Sequence, residues 1–348
     1  MKAVISSCQI IVFLLCSIAF PLSNVQTKTA YSPLPLTGGY RSREQLFDDF
    51  FALENSYPAL VSHEEFGKTV EGRPMIVFRI GAQNASSKVM FDGACHGNEI
   101  LGSEVLYYYA LWLLNEIEPV CSEILQNTLT LIVPVLNVDR YNATRKNVDG
   151  VDLNRNFDWN WNGTATTGGG VSDDPTDRHY RGPYPESEPE TRAYVKLWMQ
   201  YKPENYLNLH MFDPPTIWYS QNTSEQDYFL GVYANYSRLA GERGQDSYPL
   251  FECGGTGCYD CTAYHTFGFH GWSLELSSTL PPYSDVPVVL DQWLPMFITL
   301  SLSSRSQINV SEFPSLAILI LFLTIASITA MIFRRKKSVC TSRRREGT

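Results

Sequence analysis

A short segment, residues 91–100, could contribute half of a metal site. An apolar run there leads into His96 and Glu99, and apolar residues at helical spacing then predict a helix over residues 100–112. If His96 and Glu99 lie one helical turn apart, an imidazole nitrogen and a carboxylate oxygen can reach the same ion, and both are ordinary zinc ligands. The alternative is a helix N-terminus that merely favours an acidic side chain at its positive end.

Two further polar residues stand at places where strands are predicted. His210 follows the apolar segment 206–209, and Glu275 lies inside the apolar segment 272–276. A histidine at a strand end is commonly just a hydrogen-bonded polar residue, but it is also the third partner that His96 and Glu99 need. Glu275 stands where the strand pattern would be expected to place an apolar residue.

Residues 144–157 are rich in Arg, Asn and Asp and poor in apolar residues. Such a run is commonly a solvated surface loop. Arg145 and Arg155, with Asn154 between them in the chain, are nevertheless the donors that a carboxylate ligand requires, because a guanidinium binds a carboxylate through two parallel hydrogen bonds. The segment therefore has a structural and a functional interpretation.

Predicted strands alternate with predicted helices around these residues. The strands are expected at residues 75–80, 88–93, 129–136, 206–209 and 272–276, and the helices at residues 43–57, 100–118, 225–243 and 287–302. This alternation predicts an α/β layer structure around a mostly parallel or mixed sheet. Sites in such sheets form outside the carboxyl ends of strands, and His96 lies at such a position.

Both ends of the chain carry targeting signals. An apolar run at residues 10–20 of the 348-residue chain predicts a secretory signal peptide over residues 1–24. Residues 315–333 contain no charge and are followed at once by four basic residues. We therefore expect a transmembrane helix at 315–333 after a juxtamembrane linker at 306–314, with a basic cytoplasmic tail at 334–348. The bulk of the chain would lie outside the cell or in a lumen, as in a single-pass type I protein of the cell membrane or an endomembrane.

Glycosylation sequons and charge agree with that topology. Six sequons lie between the two apolar segments, at Asn84, Asn142, Asn162, Asn222, Asn235 and Asn309. Residues 3–333 contain 19 basic and 35 acidic residues, a formal charge of −16. A surface this acidic repels nucleic acid, so nucleic-acid binding is excluded.

The cysteines predict at most two disulfides in this body. Cys95, Cys121, Cys253, Cys258 and Cys261 lie between the two apolar segments, and an odd number leaves at least one free thiol. Cys95 is our candidate for that thiol. Cys258 and Cys261 have the spacing of a metal-binding pair, but we expect a disulfide within the 253–261 loop, because two ligands alone are a weak indication of metal.

Six sequence blocks in order resemble the zinc carboxypeptidases of the pancreatic A/B type, from about Tyr40 to Ser304. They are Gly67 with Glu71-Gly72-Arg73-Pro74; His96-Gly97-Asn98-Glu99; Gly150-Val151-Asp152-Leu153-Asn154-Arg155-Asn156-Phe157; Tyr180-Arg181-Gly182-Pro183 with Ser187-Glu188-Pro189-Glu190; His210; and Leu274-Glu275-Leu276. The resemblance implies an α/β catalytic domain over residues 31–305 with a mixed eight-stranded central sheet flanked by helices. It also implies one zinc ion per chain.

The resemblance also implies a role for each candidate. His96, Glu99 and His210 would bind zinc, Glu275 would take a proton from the zinc-activated water, and Arg145 would stabilise the oxyanion. Asn154 and Arg155 would hold the terminal carboxylate of a peptide or protein substrate. Tyr248, which precedes Gly254-Gly255 by two residues more than usual, would contact substrate. Asp260, fifteen residues before Glu275, would form the base of a pocket for basic side chains, or else be a turn residue that bonds its own backbone.

Some features depart from the pancreatic enzymes. Asn98 stands where they have Arg, and we expect neither a propeptide domain before Tyr40 nor a β-sandwich domain after Ser304. We expect a monomeric ectodomain. Two alternatives remain: an inactive, membrane-held peptide-binding protein on the same fold, and a hydrolase that releases side-chain-linked or cell-wall amino acids.

Overall fold

The computed structural model describes residues 38–164, 170–220, 226–253 and 255–303. The predicted signal peptide, linker, transmembrane segment and basic tail lie outside these residues. Within the described ranges, no helix combines the length and the apolar character needed to cross a membrane. Of the predicted sequon asparagines, Asn84, Asn142 and Asn162 are exposed and Asn235 is half-buried, so the first three are accessible at the surface.

A mixed eight-stranded sheet forms the centre of the described residues, as predicted. Its strands are β1 (Val61–Lys68), β2 (Pro74–Gly81), β3 (Ser87–Gly93), β4 (Thr128–Val133), β5 (Asn205–His210), β6 (Thr216–Ser220), β7 (Leu250–Cys253) and β8 (His270–Glu275). Their spatial order is β1-β2-β4-β3-β5-β8-β6-β7. Strands β4, β3, β5 and β8 run parallel to one another, and β2 and β6 pair antiparallel to this central group.

Helices cover both faces of the sheet. They are α1 (Arg43–Ser56), α2 (Leu101–Leu114), α3 (Pro119–Asn127), α4 (Pro189–Tyr201), α5 (Gln226–Glu242), α6 (Tyr259–Phe267) and α7 (Val286–Leu302). On one face Phe91 of β3 packs edge-on against Tyr109 of α2 and Phe297 of α7. On the other face the ring of Tyr206 packs against Trp198 of α4. The helices thus bury both sides of the central strands, which explains why every residue of β4 and β5 is buried.

The parallel central strands bring the candidate residues to one edge. In parallel pairing all carboxyl ends lie on the same side of the sheet. Gly93 of β3 pairs with Leu209 of β5, and His210 pairs directly with Glu275 of β8. His96, three residues after β3, therefore reaches the same edge as His210 and Glu275.

Several predicted boundaries were wrong. The helix expected to continue to residue 118 stops at Leu114, and a new helix starts at Pro119 after Glu116 adopts a left-handed φ of 47°. The strand expected at 129–136 ends at Val133 because Pro134 follows and cannot donate to a ladder. The segment expected to be a loop after Cys253 contains α6, which ends at Gly268 with a left-handed φ of 74°.

Candidate metal centre and cleft

His96 and Glu99 lie in a tight turn between β3 and α2, just before the helix that was predicted to follow them. The turn is closed by the Glu99 amide, which donates to the His96 carbonyl at 3.0 Å. Gly97 is required in this turn, because a Cβ atom there would come within 2.2 Å of the Arg140 carbonyl oxygen. The close approach of the backbone aims both side chains at one point.

His210 at the end of β5 completes a converging set of three donors. His96 Nδ1 is 2.7 Å from Glu99 Oε1, and His210 Nδ1 is 2.9 Å from Glu99 Oε2. The three ligand atoms lie within 4.8 Å of one another, and the side chains are 3 to 5% exposed. Two imidazoles and one carboxylate that leave a fourth position open are the donor set of catalytic zinc sites, so these residues fit the zinc that the sequence predicts.

Electrostatics keep Glu99 in the form that a metal ligand needs, whereas His210 would have to release its proton to bind a metal. Burial alone would raise the pKa of Glu99, but His96 and His210 hold it below its usual range. Burial would lower the pKa of His210, and its hydrogen bond to Glu99 reverses this and raises the pKa to about 9. Glu99 is therefore ionised, as a ligand carboxylate must be.

Asp152 orients this set, and the sequence analysis assigned it no role. Its Oδ1 atom is 3.2 Å from His96 Nε2, and its Oδ2 atom accepts hydrogen bonds from Arg145 Nε and Nη2 at 3.0 and 2.8 Å. Burial would raise the pKa of Asp152, but the charge of Arg145 and the partner His96 hold it well below the usual range. Its only signal in the sequence was its place among the polar residues 144–157.

Glu275 faces the same point from β8. Its Oε2 atom is buried and has no hydrogen-bond partner among the described residues. Burial, with the nearby charge of Glu99, raises its pKa to about 7, although His210 acts in the opposite direction. A carboxylate with such a pKa can accept and release a proton near neutral pH.

These residues line a cleft of about 580 Å³. Of the nine predicted site residues, seven line it: His96, Glu99, Arg145, Asn154, Arg155, His210 and Glu275. The cleft is completed by residues that the sequence analysis did not identify, namely Arg178, His179, Met211, Phe212, Asp213, Pro214, Thr216 and Trp218. Most of these residues lie in loops, where no local periodicity could have predicted their contribution, and Thr216 and Trp218 belong to β6.

Asn154 and Arg155 reach the cleft from a short 3-10 turn, Leu153–Arg155. The Asn154 side-chain amide nitrogen is 3.3 Å from His210 Nε2, and its oxygen accepts the Tyr259 amide at 3.1 Å. Arg155 donates from Nε to the Gly170 carbonyl at 3.0 Å. Both side chains are therefore held in place at the cleft wall.

Tyr248 and Asp260 do not line the cleft, which corrects two sequence predictions. The Tyr248 ring stacks on Trp293 of α7 with the ring centroids 4.4 Å apart, and its carbonyl accepts the Tyr233 hydroxyl. Asp260 lies in the first turn of α6, is 2% exposed, and faces three cysteines. The count of residues back from Glu275 could not show this, because it does not reveal which side of a helix a residue occupies.

Comparisons with known proteins agree with this geometry. The model of the zinc carboxypeptidase family matches residues 49–248, which is more than half of the chain. Mouse carboxypeptidase A6 is 28% identical over 194 residues, which cover 50% of this chain and 43% of that protein. Carboxypeptidase B of Astacus astacus is 30% identical over 181 residues, 46% of this chain and 57% of that protein. The chain thus spans about half the length of the curated relatives it matches.

Solved structures show the same fold. Bovine thrombin-activatable fibrinolysis inhibitor, solved with a tick carboxypeptidase inhibitor, superposes with a TM-score of 0.65 at 20% identity, covering 75% of this chain and 96% of that one. Carboxypeptidase A from Helicoverpa armigera superposes with a TM-score of 0.63 at 20% identity, covering 77% and 75%. At these identities the superpositions establish the fold. Together with the family match, they show that the chain belongs to the zinc carboxypeptidase family.

Proposed function

We propose that this protein is a zinc-dependent carboxypeptidase that removes the C-terminal residue of peptides or proteins. The observation that carries the proposal is the convergence in one cleft of the His96, Glu99 and His210 donor atoms with the unpartnered Glu275 Oε2. Glu275 lies beyond the part of the chain that the family model matches, so its assignment rests on this geometry and on its pairing with His210.

His96, Glu99 and His210 would hold the zinc ion, which when bound supplies Lewis acidity and lowers the pKa of water to about 7. Glu275 takes a proton from the attacking water and passes it to the leaving amine. Arg145, with Nη1 3.5 Å from Glu99 Oε1, presents positive charge where the carbonyl oxygen of the scissile bond becomes negative. Asp152 holds both His96 and Arg145 in these orientations.

Asn154 and Arg155 make the proposed enzyme an exopeptidase. Both line the cleft beside the ligand set, and together they present amide and guanidinium donors to a carboxylate. A chain with a free C-terminus can satisfy these donors, whereas an internal peptide bond has no carboxylate to offer. Because Asp260 is not at the cleft, we do not extend this proposal to a preference for basic side chains.

We further propose that the protein is a single-pass type I membrane glycoprotein with its catalytic domain outside the cell or in a lumen. The proposal is supported by the apolar and basic composition of residues 315–348 and by the exposure of Asn84, Asn142 and Asn162. Protease added to intact cells should destroy a catalytic-domain epitope and spare a tag after Thr348.

The activity is tested with the purified full chain and a panel of peptides that differ only in their last residue. We expect single amino acids to be released, the activity to be lost with a chelator, and zinc to restore it. The matched control is the same peptide with an amidated C-terminus, which should resist cleavage. Binding of the peptide without release would instead identify a peptide-binding protein, and release only from side-chain-linked amino acids would identify a different hydrolase.

A further inference from the structure

A second group of ligand-type side chains lies behind the cleft wall. Cys253, Cys258, Asp260 and Cys261 place three sulfur atoms and a carboxylate oxygen within 4.8 Å of one another. All four residues are buried, with exposures between 0 and 8%. None of them contributes to the mechanism proposed above.

The fold assembles this cysteine cluster from two elements. Cys253 ends β7, whereas Cys258 caps the N-terminus of α6 and Cys261 follows it by one turn. The disulfide predicted within this loop does not form, because every cysteine within the described residues carries a free thiol. The sulfur atoms of Cys253 and Cys258 are 3.9 Å apart, far beyond the 2.05 Å of a disulfide bond.

Asp260 supplies independent evidence for a cation at this position. Its Oδ2 atom is buried and finds no hydrogen-bond partner in the described part of the chain. A buried carboxylate oxygen without a donor is costly, and a bound cation would satisfy it.

The backbone at Gly255 passes close to two sulfur atoms of the cysteine cluster. A Cβ atom at Gly255 would lie 2.6 Å from the Cys258 sulfur and 3.2 Å from the Cys253 sulfur. Only glycine therefore permits the chain to pass this close to both sulfur atoms. The amides at the N-terminus of α6 add positive partial charge, which stabilises thiolates.

We propose that Cys253, Cys258, Asp260 and Cys261 bind a second zinc ion with a structural role. Three thiolates and one carboxylate complete four-coordinate zinc, and sulfur ligands select zinc over magnesium or calcium. All four positions around the ion would be taken by protein ligands, so no water could bind as it can at the cleft. The ion would therefore have a structural and not a catalytic role. Binding releases the thiol protons, and the carboxyl proton where it is present, to solvent.

The position of the cluster indicates what the ion stabilises. The Gly257 amide donates to the Trp159 carbonyl and the Phe157 amide donates to the Gly257 carbonyl, both at 3.0 Å. Tyr259, the first residue of α6, donates its amide to the Asn154 side-chain oxygen at 3.1 Å. Trp218 packs against the cluster on one side and lines the cleft on the other. The ion would therefore brace one wall of the cleft.

The test is a zinc count on the purified full chain, combined with the spectrum of the cobalt-substituted protein. We expect two zinc ions per chain. Cobalt should give a thiolate-to-metal charge-transfer band, which the cleft ligands cannot produce because they contain no sulfur. Cys253→Ser should lose one zinc and the band, whereas His96→Ala should lose one zinc and keep the band. Cys121→Ser, which alters a buried thiol outside the cluster, should keep both zinc ions and the band.

A second measurement uses the unmodified chain, in case Cys253→Ser does not fold. A mercurial reagent that blocks thiols should release one zinc and leave one bound. A single zinc per chain together with a disulfide between any two of the three cysteines, found by non-reducing peptide mapping, would overturn the proposal. So would an unchanged zinc count and cobalt spectrum in a folded Cys253→Ser variant. Because His96→Ala reports on the cleft separately, failure of the cysteine site is distinguishable from failure of the carboxypeptidase assignment.

Discussion

The Asp152→Asn substitution removes a charge from the centre of the site while preserving side-chain shape. Asp152 is fully buried and accepts two hydrogen bonds from Arg145 in addition to its contact with His96. Asparagine would keep one acceptor oxygen but turn an amide group towards a donor. Either His96 would lose the acceptor that fixes its ring or Arg145 would face an amide group, and in both cases the Arg145 guanidinium would lose one of its two nearby carboxylates.

This geometry lets us state the expected size of two effects, one on zinc affinity and one on stability. Loss of a partner that orients a metal-bound histidine lowers metal affinity about 10- to 100-fold. Breaking a buried charge pair by removing one member destabilises a protein by about 3 kcal/mol, and the 18% exposure of Arg145 makes this an upper value. We therefore expect weaker zinc binding at the cleft together with a lower free energy of unfolding.

Zinc affinity of the full-length variant is measured by competition with a chromophoric chelator, and stability by chemical denaturation. Asp173→Asn is the matched control, because Asp173 also binds an arginine, Arg181, through both oxygens at 2.7 and 3.0 Å. Asp173 is 74% exposed, so this surface pair should contribute nothing measurable. If Asp152→Asn binds zinc at the cleft as tightly as the unmodified chain does, Asp152 does not orient His96 and the reasoning fails.

Three further predictions concern turnover. Glu275→Gln should retain zinc and lower kcat by about 10²- to 10⁴-fold, because only the proton acceptor is lost. A kcat close to that of the unmodified chain, measured with zinc bound, would contradict the assignment of Glu275 as the general base. Burial raises the pKa of Glu275 to about 7, and a base must be deprotonated to act, so kcat/KM should fall as the pH is lowered below about 7. Bound zinc would shift this fall in kcat/KM to lower pH. A fall centred well above pH 7 would rule out Glu275 as the group that titrates. Arg155→Ala should raise KM for peptides with a free C-terminus, and an unchanged KM, measured by steady-state kinetics, would exclude a carboxylate contact.

Local sequence was enough to predict much of the architecture. The continuous apolar run at residues 129–136 predicted a buried strand, because a strand covered by helices on both faces is commonly apolar throughout. Amphipathic or apolar spacing placed α1, α5 and α7 to within a few residues. These properties depend on neighbours within a few residues, which the sequence contains directly. The ends of α2 and β4 were missed because a left-handed residue and a proline interrupt patterns that otherwise continue.

The sequence by itself determined which side chains could bind zinc, since imidazole, thiolate and carboxylate groups are a property of residue type. Only the tertiary structure decided which of them meet. Glu99 and His210 are 111 positions apart and are joined by the parallel pairing of β3 and β5. That pairing, like the partnership of Asp152 with His96, depends on long-range packing that no local spacing encodes. Long-range packing also decides the position of Asp260. The direction in which α6 packs places the Asp260 carboxylate among the cysteines, and the number of residues between Asp260 and Glu275 does not reveal this.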